Sequence, residues 1–136
     1  MFSPKKRSEI MSKIKGKDTK IEIKLRKALW RDRIRGYRLQ AKLPGKPDIV
    51  FTKYMVVVFC DGDFWHGYRF DEWKSRLQPY WLEKIGRNMQ RDRMNDHMLI
   101  KQGWRVVHLW EHDLEKNMEK CKERVLKSLL ARGLKR

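Results

Sequence analysis

The chain has little that would staple, anchor or segment it. Its two cysteines, Cys60 and Cys121, form no C-x-x-C pair. Spacing therefore gives no argument for a disulfide or a thiolate zinc site, and both thiols are expected free in a reducing compartment. The longest apolar run, Met55 to Cys60, is far too short to cross a bilayer, and Met1-Phe2-Ser3-Pro4-Lys5 lacks the apolar stretch of a secretory signal. A cytoplasmic protein with no membrane partner is expected. Pro and Gly are few and scattered, so nothing reads as a linker, and 1–136 is expected to be one domain with a short basic arm over about residues 1–17. Acidic residues are also scarce. Seventeen Asp and Glu face 34 Lys and Arg, a formal +17, and the basic residues run from Lys5 to Arg136 rather than forming a tail. A polyanion is the natural partner of such a surface. Hydrophobic residues at 40% suffice for a core, which excludes wholesale disorder.

Residues 3–16 read as a short basic helix or arm, with Ile10 and Ile14 four apart and Met11 beside them. Thr19 followed by Glu22 matches a capping box, and Ile21, Leu25, Ala28 and Leu29 recur at helical spacing, predicting a helix over 19–31. A short strand is expected over Tyr37–Gln40. Leu43-Pro44-Gly45-Lys46-Pro47 then breaks regular structure ahead of a strand over Asp48–Phe51. After a turn at Thr52-Lys53, Tyr54–Asp61 has the β-branched density of a central strand. Residues 62–80 read as a long aromatic loop and 81–102 as a helix marked by Ile85, Met89 and Leu99. Trp104–Trp110 reads as a fourth strand. Leu114, Met118, Cys121, Val125 and Leu129 mark a last amphipathic helix. The order predicts a three-layer α/β fold, a mixed central sheet flanked by helices.

Phosphodiester hydrolysis uses a hard cation held by oxygens at strand ends. Asp48 opens one expected strand and Asp61 closes the next, so an antiparallel hairpin would bring both to one edge. Turn capping is an equally ordinary use of each aspartate. Asp61-Gly62-Asp63-Phe64-Trp65-His66-Gly67 adds two acids, two aromatics and a histidine directly after a buried strand. His66 is placed to act as a general base or to donate to a phosphate. His97, His108 and His112 lack such neighbours and read as structural. Phe64, Trp65 and Trp81 suit wedges driven between base steps, the alternative being that they fold back into the core.

Four segments, Leu43-Pro44-Gly45-Lys46-Pro47-Asp48, Val58 to His66, Trp81 to Asn88 and Gly103-Trp104-Arg105-Val106, resemble in order and spacing the very-short-patch repair (Vsr) endonucleases. With Asp18-Thr19-Lys20-Ile21-Glu22, the likeness runs from about Lys5 to Leu114. It implies a restriction-endonuclease-like fold, Mg2+ as cofactor, and nicking of one strand of double-stranded DNA beside a thymine mispaired with guanine. It further implies that Asp48 and the backbone carbonyl of Cys60 bind the metal, that His66 is the catalytic histidine, and that Glu22 holds metal-bound water. Met11, Phe64, Trp65 and Trp81 match the aromatics and wedge that enter the DNA, and the motif carrying Lys84, Arg87 and Asn88 is expected to contact it.

Two departures from the family pattern stand out. The positions of a structural zinc site are filled by Asp63, Tyr68, Phe70 and His112, so no zinc is expected. A second family histidine is replaced by Asp61, which would either add a carboxylate to the metal site or weaken the leaving-group step. A monomer is expected. The rivals are a less selective or structure-specific nuclease on the same fold, and a basic DNA-binding protein without catalysis.

Overall fold

The computed structural model describes residues 19–136. The expected helix over 3–16, and Met11 with it, lie outside the described residues.

Helix α1 spans Lys20–Arg31, with Thr19 as N-cap in extended conformation and its side chain accepting from the Glu22 N–H at 3.4 Å. That bond satisfies one of the donors a helix start leaves unpaired. Strands β1 (Arg38–Leu39), β2 (Ile49–Phe51) and β3 (Val56–Asp61) form an antiparallel meander, and β4 (Arg105–Trp110) lies parallel to β3. The sheet order is β1-β2-β3-β4, the mixed sheet expected. The strands are shorter than predicted. Thr52–Tyr54 coils into a 3-10 turn closed by Met55 at φ +55°, which takes Tyr54 out of β3.

Alternation along the strands assigns each residue to a face. Ile49, Phe51, Val56, Val58, Val107 and Leu109 meet Leu25, Leu29, Leu114, Cys121, Val125 and Leu129 in the larger core. Val50, Val57 and Phe59 point the other way, to Leu99. Helices therefore cover both faces, and the arrangement has three layers. Val56, Val57 and Val58 are all fully buried, each contributing about 1.5–3 kcal/mol by leaving water. These consecutive buried residues make β3 the rigid spine from which Asp61 projects.

The segment between β3 and the next long helix is more ordered than its composition predicts. It contains a one-turn helix α2 (Phe70–Trp73) and a 3-10 turn over Lys74–Arg76. Before them, residues 62–68 close a tight turn through His66 N–H to Gly62 O (3.1 Å) and Tyr68 N–H to Asp63 O (2.9 Å). Gly67 sits at φ +72°, and a Cβ there would overlap the Met89 sulfur, so glycine is required twice over.

Helix α3 spans Pro79–Lys101, starting two residues before the prediction because Pro79 occupies N1, where its missing N–H costs nothing. Only Ile85 and Leu99 of its 23 residues are buried, so polar contacts do much of the work of holding it. The expected last helix is two, α4 (Glu111–Lys116) and α5 (Met118–Ala131), broken where Asn117 turns non-helical at φ −144°, ψ 54°. No helix among the described residues is long and apolar enough to cross a membrane.

Candidate active site

Antiparallel pairing of β2 with β3 brings Asp48 to the end of β3, as the hairpin argument requires. The Asp48 N–H donates to Val58 O at 3.0 Å, which continues the ladder one residue past β2. The Asp48 carboxyl accepts from the Cys60 N–H at 2.6 Å and shares a hydrogen bond with the carboxyl of Glu22, a buried residue in the first turn of α1. Burial, then the Glu22 hydrogen bond and the charges of Glu22 and Asp61, push the Asp48 pKa from 3.8 up to about 8, against the lowering effect of the Cys60 N–H. In the absence of a cation, this carboxyl pair keeps a proton at neutral pH. The same burial pushes the Cys60 thiol well above its ordinary value, so it is an inert neighbour.

His66 lies beyond the turn. Its Nδ1–H donates to Asp92 on α3 at 2.6 Å, and its Nε2 lies 3.9 Å from Oδ1 of Asp61. Burial disfavours the charged imidazole, but the Asp92 hydrogen bond and the charges of Asp61 and Asp92 outweigh it and raise the pKa. An ionised carboxylate only accepts, so Asp92 fixes the proton on Nδ1 and leaves Nε2 as the ring's working atom.

Asp61 is buried, and its Oδ2 accepts from His108 Nδ1 at 2.6 Å. His108, paired with Phe59 in the β3–β4 register, stacks on the Phe59 ring at 4.8 Å and 14°. Its Nε2 donates to both oxygens of Asp96, at 2.7 and 2.9 Å. Burial opposes the charge on His108, but the Asp61 and Asp96 carboxylates together push its pKa up to about 9, so at neutral pH it is an imidazolium donating from both nitrogens. Reading His108 as structural missed this contact with the site, and Asp92 and Asp96 were not singled out at all. Their i,i+4 spacing on one helix was the available signal.

The aromatic residues form one cluster beside these groups. Phe64 is buried at 4% exposure and stacks on Trp73 at 5.7 Å, so in the free protein it is folded back under the loop. Trp65 packs edge-on against Phe64 and Trp81 and is half-buried, with its Nε1–H buried and without a partner among the described residues. Trp81 also abuts Tyr80, which at 62% exposure is more open than any of the three aromatics singled out as wedges. Lys84 and Arg87 are exposed on α3, with Lys84 Nζ 6.0 Å from the Trp65 ring, whereas Asn88 Nδ2 donates to Trp65 O at 3.2 Å and ties the turn to the helix. Where a zinc cage was expected to be missing, His112 Nδ1 donates to Asp63 at 2.9 Å and lies against the Tyr68 ring at 4.3 Å.

A mixed sheet between helices, acids and imidazoles gathered where β3 ends, and a strongly basic chain together describe a DNA endonuclease of restriction-endonuclease-like architecture. Comparison with known proteins narrows this class. The family described as DNA mismatch endonuclease Vsr matches residues 1–72. The Escherichia coli K12 DNA mismatch endonuclease Vsr is 42% identical over 109 residues, covering 77% of this chain and 69% of that protein. A type II nicking enzyme of Neisseria meningitidis serogroup C is 38% identical over 91% of this chain and 86% of its own length. Another from Haemophilus parainfluenzae is 34% identical over 96% of both. The chain belongs to the Vsr family of DNA endonucleases.

Proposed function

We propose that the protein is a Mg2+-dependent enzyme that nicks one strand of duplex DNA at a T:G mismatch, acting as a monomer in very-short-patch repair. The observation that carries this reading is the carboxyl pair of half-buried Asp48 and buried Glu22, with the Asp92–His66 couple sharing its neighbour Asp61. A pure DNA binder gains nothing from acids set against phosphates.

The donor set fits a hard divalent cation. Asp48 and the Cys60 carbonyl are oxygen donors, and the proton that Asp48 holds is one a cation would displace. So few protein oxygens suit Mg2+, an ion that takes one or two carboxylates and completes its shell with water and substrate phosphate. Bound there, Mg2+ would polarise the scissile phosphate and offset the charge that develops on it. Asp48 and the Cys60 carbonyl would be its ligands, and Glu22 would position water. Asp61 keeps Oδ2 on His108 and has Oδ1 3.9 Å from His66 Nε2. His66, its Nδ1 proton held by Asp92, accepts the proton of the attacking water at Nε2.

Selectivity comes from the aromatic cluster. Opening a matched step costs about a few kcal/mol and a mispaired one less. Lys84 and Arg87 bind backbone phosphates nearby. The test is nicking of matched, T:G and other mismatched duplexes with and without Mg2+. Preferential, Mg2+-dependent single-strand cutting at T:G supports the proposal, whereas equal cutting of all duplexes favours an unselective nuclease and no cutting a silent binder.

A further inference from the structure

Five ionisable side chains alternate across the site: Asp92, His66, Asp61, His108 and Asp96. Two ends of this row are anchored on α3, one turn apart, and His108 comes from β4. Every neighbouring pair except one is hydrogen-bonded, at 2.6 to 2.9 Å. The exception is His66 Nε2 and Asp61 Oδ1, at 3.9 Å. That is too long for a direct bond. With its Nδ1 proton held by Asp92, the proton-accepting form of His66 offers a lone pair at Nε2, and Asp61 offers a carboxylate oxygen, so one donor can bridge the two. One group placed at an ordinary ~2.8 Å from each subtends about 90° at its own centre, an angle that suits the two O–H bonds of a single water.

We infer that Asp61 and His66 together hold the attacking water of the nicking reaction, and that His108 is the positioning residue that aims Asp61 at it. This rests on the proposed reaction. His108 is suited to the task because it has no freedom. Its ring is stacked on Phe59, Asp96 clamps Nε2 through both oxygens, and its backbone carbonyl accepts from Arg124 at 2.6 Å. With Oδ2 of the buried Asp61 tied to so fixed a donor, Oδ1 can face only one way. As the water oxygen bonds to phosphorus, His66 Nε2 takes one of its protons and Asp61 orients the second O–H, while the bond from phosphorus to the bridging ester oxygen breaks and the departing alkoxide takes a proton from solvent. The His108 imidazole stands on β4, the strand adjacent to the one that ends at Asp61, and bonds its carboxylate from there.

The test is a double-mutant cycle in the full chain with Asp61→Ala, His108→Phe, which keeps a flat ring on Phe59 but no donor, and both together. Single-turnover nicking of the preferred duplex, DNA affinity, Tm and long-range 1H–15N spectra of the imidazoles are measured. Each single change should slow nicking roughly 10–100-fold with DNA affinity unchanged, and the double variant should be no slower than Asp61→Ala. His108→Gln, whose amide still donates toward Asp61, should recover part of the loss. The His66 Nε2 resonance should shift alike in Asp61→Ala and His108→Phe. Undiminished nicking by His108→Phe, losses that multiply in the double variant, or an unmoved His66 resonance in a folded variant would overturn the inference. If His108→Phe does not fold, His108→Leu, which also lacks a donor, and Asp61→Asn carry the same cycle. Failure of the proposed reaction is a separate result: the wild type does not nick, or Asp48→Ala still does, and the spectra alone then decide whether His108 sets Asp61 against His66.

Discussion

Asp48→Asn should abolish nicking and yet stabilise the cation-free protein. Asparagine keeps the shape, can accept from the Cys60 N–H with its carbonyl, and can donate to Glu22 with its amide, so the two hydrogen bonds of the native carboxyl survive. What disappears is the need to bind a proton. Asp48 holds its proton far more tightly folded, at about 8, than unfolded, at 3.8. Folding is therefore unpenalised below the unfolded value, and the penalty grows as pH rises from there until the native group itself ionises near 8. The full gap corresponds to at most about 6 kcal/mol. Asp48 is only half-buried, so solvent screening reduces this, and about 2 kcal/mol is the working magnitude. For a chain of this size that is roughly 5–10 °C in Tm. Thermal unfolding of both proteins is followed between pH 4 and 9, with and without Mg2+. The variant should match the wild type near pH 4 and exceed it by a margin that widens to pH 8 and then levels. Mg2+ at about 100 times its Kd should return about 2.7 kcal/mol to the wild type alone and close the gap. A variant less stable than wild type at pH 8.5 without cation, or a margin indifferent to Mg2+, would refute the reasoning.

Three further outcomes are expected. Asp92→Asn should slow single-turnover nicking by roughly 10–100-fold while leaving DNA affinity alone, since it frees the His66 tautomer without touching the duplex; an unchanged rate would return Asp92 to a purely structural role. Trp65→Ala should lose more cutting on mismatched DNA than affinity for matched DNA, and wild-type discrimination should sharpen from low to moderate salt as the shared phosphate term weakens; equal losses on both duplexes would dismiss the wedge. Protein purified without added metal should contain no stoichiometric zinc by elemental analysis, because Asp63 and His112 pair with each other where a tetrahedral site needs four ligands; tightly held zinc would show that they join a cage instead.

Period-2 and period-3.6 patterns made most of the fold legible. Unbroken burial in β2 and nearly unbroken burial in β3, the Thr19 cap and the apolar stripe of α5 all follow from local chemistry. The misses share a cause. Pro79 at N1 is a helix-start signal, but the aromatic density around it argued for a loop. The break at Asn117 leaves the apolar stripe unbroken in sequence, so periodicity alone joined α4 to α5. Asp48, Glu22 and His66 could be picked out because each sits in a recognisable motif. His108 could not, because its significance comes from a parallel register, Phe59 opposite His108, that no local pattern encodes.

Helix α3 carries Lys84 and Arg87, the residues proposed to meet the DNA, and, two turns on, Asp92 and Asp96 bonded to the imidazoles. A helix rises 1.5 Å and turns 100° per residue, so these two groups of side chains keep a fixed distance and a fixed angle. Inserting or deleting one residue between Asn88 and Asp92 would swing both carboxylates about a quarter turn away from His66 and His108. The segment between Arg69 and Gln78 bears no such constraint. Natural variation and engineering of substrate preference should therefore crowd into the loop before Pro79, with the length of the helix from Lys84 to Asp96 held constant, so that the enzyme's mechanical gauge lies in a residue count rather than in any one side chain.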